Sequence, residues 1–497
     1  MSEVRYLIIR VLALAAVLGI LGCQSDHIEV KESWRATFKT LGTFSSIKCV
    51  DLNDDDILDI VIGAGLNEFE ESDSAVVAIS GADGSTLWSH PGRDQMVGTA
   101  IFSDMNGDEV EDVIIGGRQS QFKVINGKDG SEIWSFQIKH NDYDAKGYMR
   151  FNFFSPQLLR DINDDNIPEL LVSNGGNIRA YRKDGLDRYP GVIGILDGAN
   201  GDIIAVDTMP DGQETYMSPV VYEDQERQQT FIIYGSGGET MSGHLYRTTL
   251  SDLLKSDISD SKVLASREGH GFIAPVCLAD LTGDGQMDII ANWHGGEMVA
   301  IDGASDQPLW SYGLDNTELN CSPTPGDATG DGIPDFFSQY TMGAWPKSIG
   351  SIQVLIDGAS GEALYQDTSG CVGFSSAISY DIDSDGKSEF IYSINDHNCT
   401  GIYLGMTKFS MEMYSHATHK KEIIYPTRSA KNIGSTPWIG DLDGDDQLDL
   451  VVCLQGNYND IYSYYGIQIS HLELNAKLSE HKSWTAYMGE KGTGIYE

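Results

Sequence analysis

A single pattern recurs along this chain at intervals that only a repeat protein would use. An Asp is followed two residues later by Asn, Asp or Thr, and two further on by Asp. Asp or Glu stands at the ninth place, and an apolar run follows. The pattern reads DLNDDDILDIVIG from Asp51, DMNGDEVEDVIIG from Asp104, DINDDNIPELLVS from Asp161 and DLTGDGQMDII from Asp280. It returns as DATGDGIPDFFSQ from Asp327, DIDSDGKSEFIYS from Asp381 and DLDGDDQLDLVVC from Asp441. An eighth frame, SPVVYEDQERQQTFIIYG around Asp224, lacks the later acidic positions. The eight frames are spaced by roughly 47 to 63 residues, close to the period of propeller blades.

Oxygen ligands at positions 1, 3, 5 and 9, with a backbone carbonyl at 7, suit a hard cation that takes six to eight ligands. Calcium fits this set better than magnesium, which prefers a small octahedron rich in water. The residues after position 9 are β-type, so the loop cannot be an EF-hand, in which a helix would follow. A second pattern alternates with the first: VAISGADGSTLW, VINGKDGSEIW, GILDGANGDII, VAIDGASDQPLW and VLIDGASGEALY. Each reads as a strand, a Gly-containing turn and a strand ending in Trp or another large apolar residue.

Together the patterns predict a four-stranded antiparallel meander for each unit. One short strand enters the acidic loop and a second leaves it; a third enters the D-G-x-x-G turn and a fourth leaves it. Radial repetition hides the apolar faces of such sheets and keeps their edges short. The expected fold is all-β: one β-propeller over residues 33–497, with eight blades, or seven if the Asp224 unit is an insertion.

The first residues, MSEVRYLIIRVLALAAVLGILGC, place Arg5 and Arg10 around an apolar run that ends at Cys23. This is a secretory signal with a lipoprotein-type ending, although Leu21 is larger than the residue usual there. Residues 1–22 are expected to be removed, Cys23 to be lipidated and 23–32 to form a tether. The protein would then be an exported cell-envelope lipoprotein, facing the periplasm or on the outer membrane, and held to the membrane only by its lipid. The formal net charge of -41 excludes nucleic acid as a partner and favours cations. Six further cysteines permit three disulfides or a set of buried thiols.

The acidic loops resemble the FG-GAP (VCBS-like) repeats of integrin α-subunit propellers and of many secreted bacterial proteins. The interleaved AIDGASDQPLW-type stretches are similar to the repeats of PQQ-enzyme propellers, which also occur in non-catalytic outer-membrane lipoproteins. The adjacent Cys-Cys pair associated with many PQQ dehydrogenases is absent, so those repeats read as architectural. By this resemblance the calcium ligands are Asp51, Asn53, Asp55 and Asp59; Asp104, Asn106, Asp108 and Asp112; and Asp161, Asn163, Asp165 and Glu169. The remaining sets are Asp280, Thr282, Asp284 and Asp288; Asp327, Thr329, Asp331 and Asp335; Asp381, Asp383, Asp385 and Glu389; and Asp441, Asp443, Asp445 and Asp449. Thr282 and Thr329 bring no carboxylate, so those two sites are expected to bind more weakly.

The acidic loops and the D-G-x-x-G turns share one end of the blades, which leaves variable loops at the other end to meet a protein or glycan ligand. Tyr181, Tyr189, Tyr340, Trp345, Tyr458 and Tyr462 are the aromatic candidates there. NWHGGE places Trp293 and His294 on the same face, and Arg118 and His397 occupy comparable places in their units. The expected function is a non-catalytic, calcium-binding scaffold. The alternative is a polysaccharide lyase-like propeller that acts on acidic glycans through His294 and its neighbours.

Overall fold

The computed structural model describes residues 28–137, 149–177, 188–344, 347–396, 407–456 and 466–497. It contains eight antiparallel sheets, each built on a four-strand meander and numbered blades 1–8 in the chain order of the frames at Asp51, Asp104, Asp161, Asp224, Asp280, Asp327, Asp381 and Asp441. Blade 5 is typical: Cys277–Ala279 lies innermost, followed outward by Asp288–Trp293, Glu297–Ile301 and Pro308–Gly313. Eight apolar clusters fill the spaces between successive sheets, and the cluster joining blades 8 and 1 closes the ring. The eight-bladed reading therefore holds, and the Asp224 unit is a full blade.

The ring is closed by the beginning of the chain. Val30–Phe38 forms the outer strand of blade 8 and pairs antiparallel with Ile467–Lys477. This strand begins inside the stretch read from sequence as tether, because Val30, Lys31 and Glu32 find partners in Leu474, Glu473 and Leu472.

Two local devices set the blade corners. In all seven acidic loops the fourth and sixth positions have positive φ. They hold Gly283 and Gly285 in blade 5, and Asp54 and Asp56 in blade 1. Such positions favour Gly and tolerate Asp or Asn, which is why the loops read T-G-D-G or N-D-D-D.

The second device joins blades. The Trp34 Nε1–H donates to the Gly81 carbonyl, Trp88 to Gly127, Trp134 to Gly198 and Trp310 to Gly358. Each indole lies on the D-G-x-x-G turn of the next blade. Blade 4 has no such Trp, and there Arg227 and Arg247 donate to the Gly303 carbonyl instead. Gly130→Ala should destabilise the fold by about 2 kcal/mol or more, because φ is +74° and a Cβ would stand 2.8 Å from Trp88. Gly107→Ala has a similar φ of +80° with nothing within 4 Å, so it should cost only the backbone strain. Paired thermal melts check this; equal losses would show that the Trp contact adds nothing.

Blade 4 departs from the rest. Where blades 1, 2, 3, 5 and 6 have a D-G-x-x-G-type turn, it carries the helix Leu250–Leu253, capped by Thr249, the only helix among the described residues. Four cysteines are free thiols, Cys49, Cys277, Cys321 and Cys453, and the last three are buried. Three disulfides are therefore not formed. Cys371 is disulfide-bonded, and the other half of that bond lies outside the described residues.

Candidate functional site

In the acidic loops, the first and ninth carboxylates act on the backbone. The Asp280 side chain accepts the N–H groups of Gly283 and Gly285, the fourth and sixth positions, and five counterparts do the same, whereas Asp381 accepts from Asp385 and Gly386. The ninth residue is buried. Asp288 Oδ2 accepts the Leu281 N–H at 2.8 Å and Oδ1 accepts the Gly303 N–H at 2.8 Å. Asp59, Asp112 and Asp335 repeat this bridge to Gly81, Gly127 and Gly358. In these four blades the ninth carboxylate thus ties the acidic loop to the D-G-x-x-G-type turn of its own blade, whereas Asp449 meets His471 Nε2 instead. Burial, and after it the neighbouring carboxylates, lift Asp59 and Asp112 to about 6; burial lifts Asp335 to about 7 and Glu389 to about 8.

The donor chemistry suits a hard cation to different degrees. Carboxylate oxygens of Asp381, Asp383 and Asp385 lie within 4.8 Å of one another, as do those of Asp441, Asp443 and Asp449. Glu169 Oε1 and Thr329 Oγ1 are buried with no hydrogen-bond partner among the described residues, so each loop leaves an oxygen that a cation would satisfy. Where the ninth residue is Asp59, Asp112, Asp288 or Asp335, backbone N–H groups already occupy both oxygens.

The other candidates from sequence do not assemble into one cluster. Trp345, His397, Tyr458, Tyr181, Tyr462 and Cys23 lie outside the described residues. Arg118 pairs with Glu68 at 2.9 Å and donates to Gln95. Tyr189 is half-buried and stacks on Phe151 with ring centroids 5.9 Å apart. Tyr340 is fully buried between Tyr312 and the blade 5–6 core, not at a surface. His294 is also fully buried, with Nδ1 3.1 Å from His270 Nδ1, while Trp293 Nε1–H donates to the His270 carbonyl. Burial first, and His270 second, push His294 down to about 3. It is a packed neutral imidazole inside the fold, not a side chain at an open mouth of the face as placed from sequence.

The axis carries features the sequence reading missed. Each inner strand is preceded by Ser or Thr, except in blade 5, which has Ala274. These hydroxyls link neighbouring blades. The Thr436 N–H donates to Ser46 Oγ, Ser46 to Thr99, Thr99 to Ser155, Ser155 to Ser218 and Ser322 to Ser376, at 2.9–3.3 Å. Above this belt, on the face opposite the acidic loops, Phe44, Phe154, Tyr216 and Phe374 stand half-exposed around a cavity of about 130 Å³. Tyr216 is braced from outside: its hydroxyl donates to Glu214 and accepts from Arg188, which also pairs with Glu214 at 2.7 Å.

Below the belt, the C-terminal residues 479–497 fill much of the channel. The Ser479 N–H donates to the Tyr380 hydroxyl, and its Oγ to Asp381 Oδ2, at the acidic-loop end of blade 7. Trp484 is fully buried, Tyr487 reaches up to Ser218 and Ser322, and Tyr496 comes back beside Trp484. Lys48 of blade 1 donates through Nζ to the Gly489 and Glu490 carbonyls, and Gln157 of blade 3 to Gly492. Burial pulls the Lys48 ammonium down to about 7. The segment carries no repeat motif of its own, so nothing periodic in the sequence announces it.

No family model matches this chain, and no curated protein matches it in sequence. Solved structures do match in shape. The quinohemoprotein alcohol dehydrogenase ADHIIG from Pseudomonas putida HK5 superposes with a TM-score of 0.55 at 11% identity, over 91% of this chain and 77% of that one. A europium-containing methanol dehydrogenase gives 0.55 at 10% identity, over 89% and 93%. Sqt1 of Saccharomyces cerevisiae gives 0.54 at 8% identity, over 90% and 99%. The chain thus has an eight-bladed β-propeller fold, a shape it shares with these structures. At such identities the likeness shows the fold alone.

Proposed function

We propose that this protein is a non-catalytic binding scaffold of the cell envelope, stiffened by calcium at its acidic loops and holding a protein partner on the opposite face. The observation that carries the reading is the axial rim. Four half-exposed aromatic side chains, Phe44, Phe154, Tyr216 and Phe374, converge from four different blades on a rigid ring. Aromatic residues held rigidly lose little entropy on binding and anchor protein interfaces. The acidic loops follow the FG-GAP pattern, and the convergent Asp381 and Asp441 loops are the best candidates for cation binding. Export and a lipid on Cys23 agree with the one disulfide at Cys371, since such bonds persist in oxidising compartments.

The test replaces Phe154, Tyr216 and Phe374 together by Ala in the full chain. Partners trapped by chemical cross-linking in the native envelope are then compared with those of the wild type. A specific protein partner should be lost by tenfold or more, with the melt unchanged. Retention of that partner, or capture of glycan alone, overturns the protein-scaffold reading.

A further inference from the structure

The inner edges of the eight sheets are not used equally. Along a strand, successive residues alternate both the face that takes the side chain and the edge to which N–H and C=O point. In blades 5, 7 and 8 the middle residue of the inner strand turns its amide to the axis, and the C-terminal segment takes it. The Leu278 N–H donates to the Gly494 carbonyl and its carbonyl accepts from the Tyr496 N–H, both at 2.8 Å. Ser379 exchanges two such bonds with Trp484, and the Ile439 N–H donates to the Thr485 carbonyl. Blade 6 has Pro325 at this position, which has no N–H to offer.

Blades 1–4 carry Cys49, Phe102, Leu158 and Val221 at the equivalent place. Cys49, Phe102 and Val221 pack toward the preceding blade, as Leu278 does, which fixes the direction of their amides. Among the described residues, none of the four makes a backbone hydrogen bond on the axis side. Phe102, Leu158 and Val221 instead form part of the wall of a chamber of about 700 Å³ between the C-terminal segment and blades 1–4, and Lys48 and Val50, on either side of Cys49, line it too. That volume lies within the roughly 300–1,000 Å³ of built ligand sites. The wall is mainly apolar: Ile101, Leu159 and Tyr222 stand beside those three. A second cavity of about 440 Å³ adjoins it, sharing Arg160, Glu223, Thr230 and Leu250 in its lining.

We propose that this half of the channel binds an extended apolar segment of a partner polypeptide, added as a strand to the open inner edges of blades 2–4. The protein's own C-terminal segment uses the same mode on the other half, so the channel is already a peptide-binding surface. Main-chain bonds would supply affinity and the apolar wall would select β-branched and aromatic side chains. The site lies at the opposite end of the axis from the aromatic rim and does not depend on it.

The test uses the full chain and, as probe, a bead library of acetylated, amidated hexapeptides. Enriched sequences should be rich in Val, Ile and aromatic residues, and N-methylating one central residue should weaken binding at least tenfold. Phe102→Pro and Leu158→Pro each remove one axis-side N–H without touching a ladder bond, and Pro325 shows that this position accepts Pro. Each should weaken the selected peptides at least tenfold, whereas Phe102→Leu, which keeps the N–H, should stay within twofold. Leu158→Trp, which leaves the backbone alone and fills the chamber, should also abolish binding. No enrichment above background, or enriched peptides that bind the Leu158→Pro and Leu158→Trp proteins as well as wild type, overturns the proposal.

Discussion

Trp484→Ala is expected to lower the melting temperature by about 5 °C, and removal of residues 479–497 to lower it further. Trp484 is 2% exposed, and it packs with Tyr496 and the core shared by blades 5 and 6. Truncating a buried Trp costs about 3–5 kcal/mol, and a chain of this size loses about 1–2 °C per kcal/mol. Full deletion also frees the amides of Leu278, Ser379 and Ile439 and leaves the Lys48 ammonium without its carbonyl acceptors. Unpaired strand edges invite association, so the truncated protein should bind a hydrophobic dye and aggregate on heating. A deletion that melts like the full chain would show that the segment merely rests in the channel.

Chelation is the second large effect. Each acidic loop crowds carboxylates, and among them Asp383 and Asp443 are held above the usual carboxylate range by burial and then by their acidic neighbours. A cation bound only to the native state adds about 2.7 kcal/mol per site at a hundredfold excess over Kd. Several such sites would rival the roughly 5–15 kcal/mol of an ordinary domain. A chelator should therefore lower the melting temperature by 10 °C or more, on the order of several sites' worth. Millimolar calcium should restore it better than magnesium. Asp385→Ala should cost less than chelation, because it empties one loop. It should cost more than Asp55→Ala, because the Asp381 loop also holds Ser479. An unchanged melt and no calcium by elemental analysis would leave the loops as hydrogen-bonded turns.

Much of the architecture was legible because it is periodic. Asp, Gly and Trp recur at fixed offsets, and each offset has a backbone cause: a carboxylate collecting N–H groups, a positive φ, an indole on the next blade's turn. The blade 4 anomaly was visible as lost acidic positions, though not its helix or the chamber beside it. What escaped is not periodic. The stretch SWTAYMGEKGTGIY carries no repeat, and its partners lie from about 100 to more than 400 residues away. The rim contributes one residue per blade with no common identity, so Phe44, Phe154, Tyr216 and Phe374 share only a place just before the Ser of the hydroxyl belt. His294 and Tyr340 misled because a polar or aromatic residue near a loop says nothing of its depth. Both sit at or near the ends of strands whose other face packs on a neighbouring blade.

Site-directed photocross-linking in the native envelope bears most directly on the scaffold reading. A photoreactive residue is placed in turn at Val97 and Ile273, which flank the aromatic rim, and at Leu87 and Ile203, which are exposed on outer strands. One discrete protein adduct from Val97 and Ile273, absent from Leu87 and Ile203, is the predicted result. Adducts of equal yield from all four positions, or none from the rim, would contradict it.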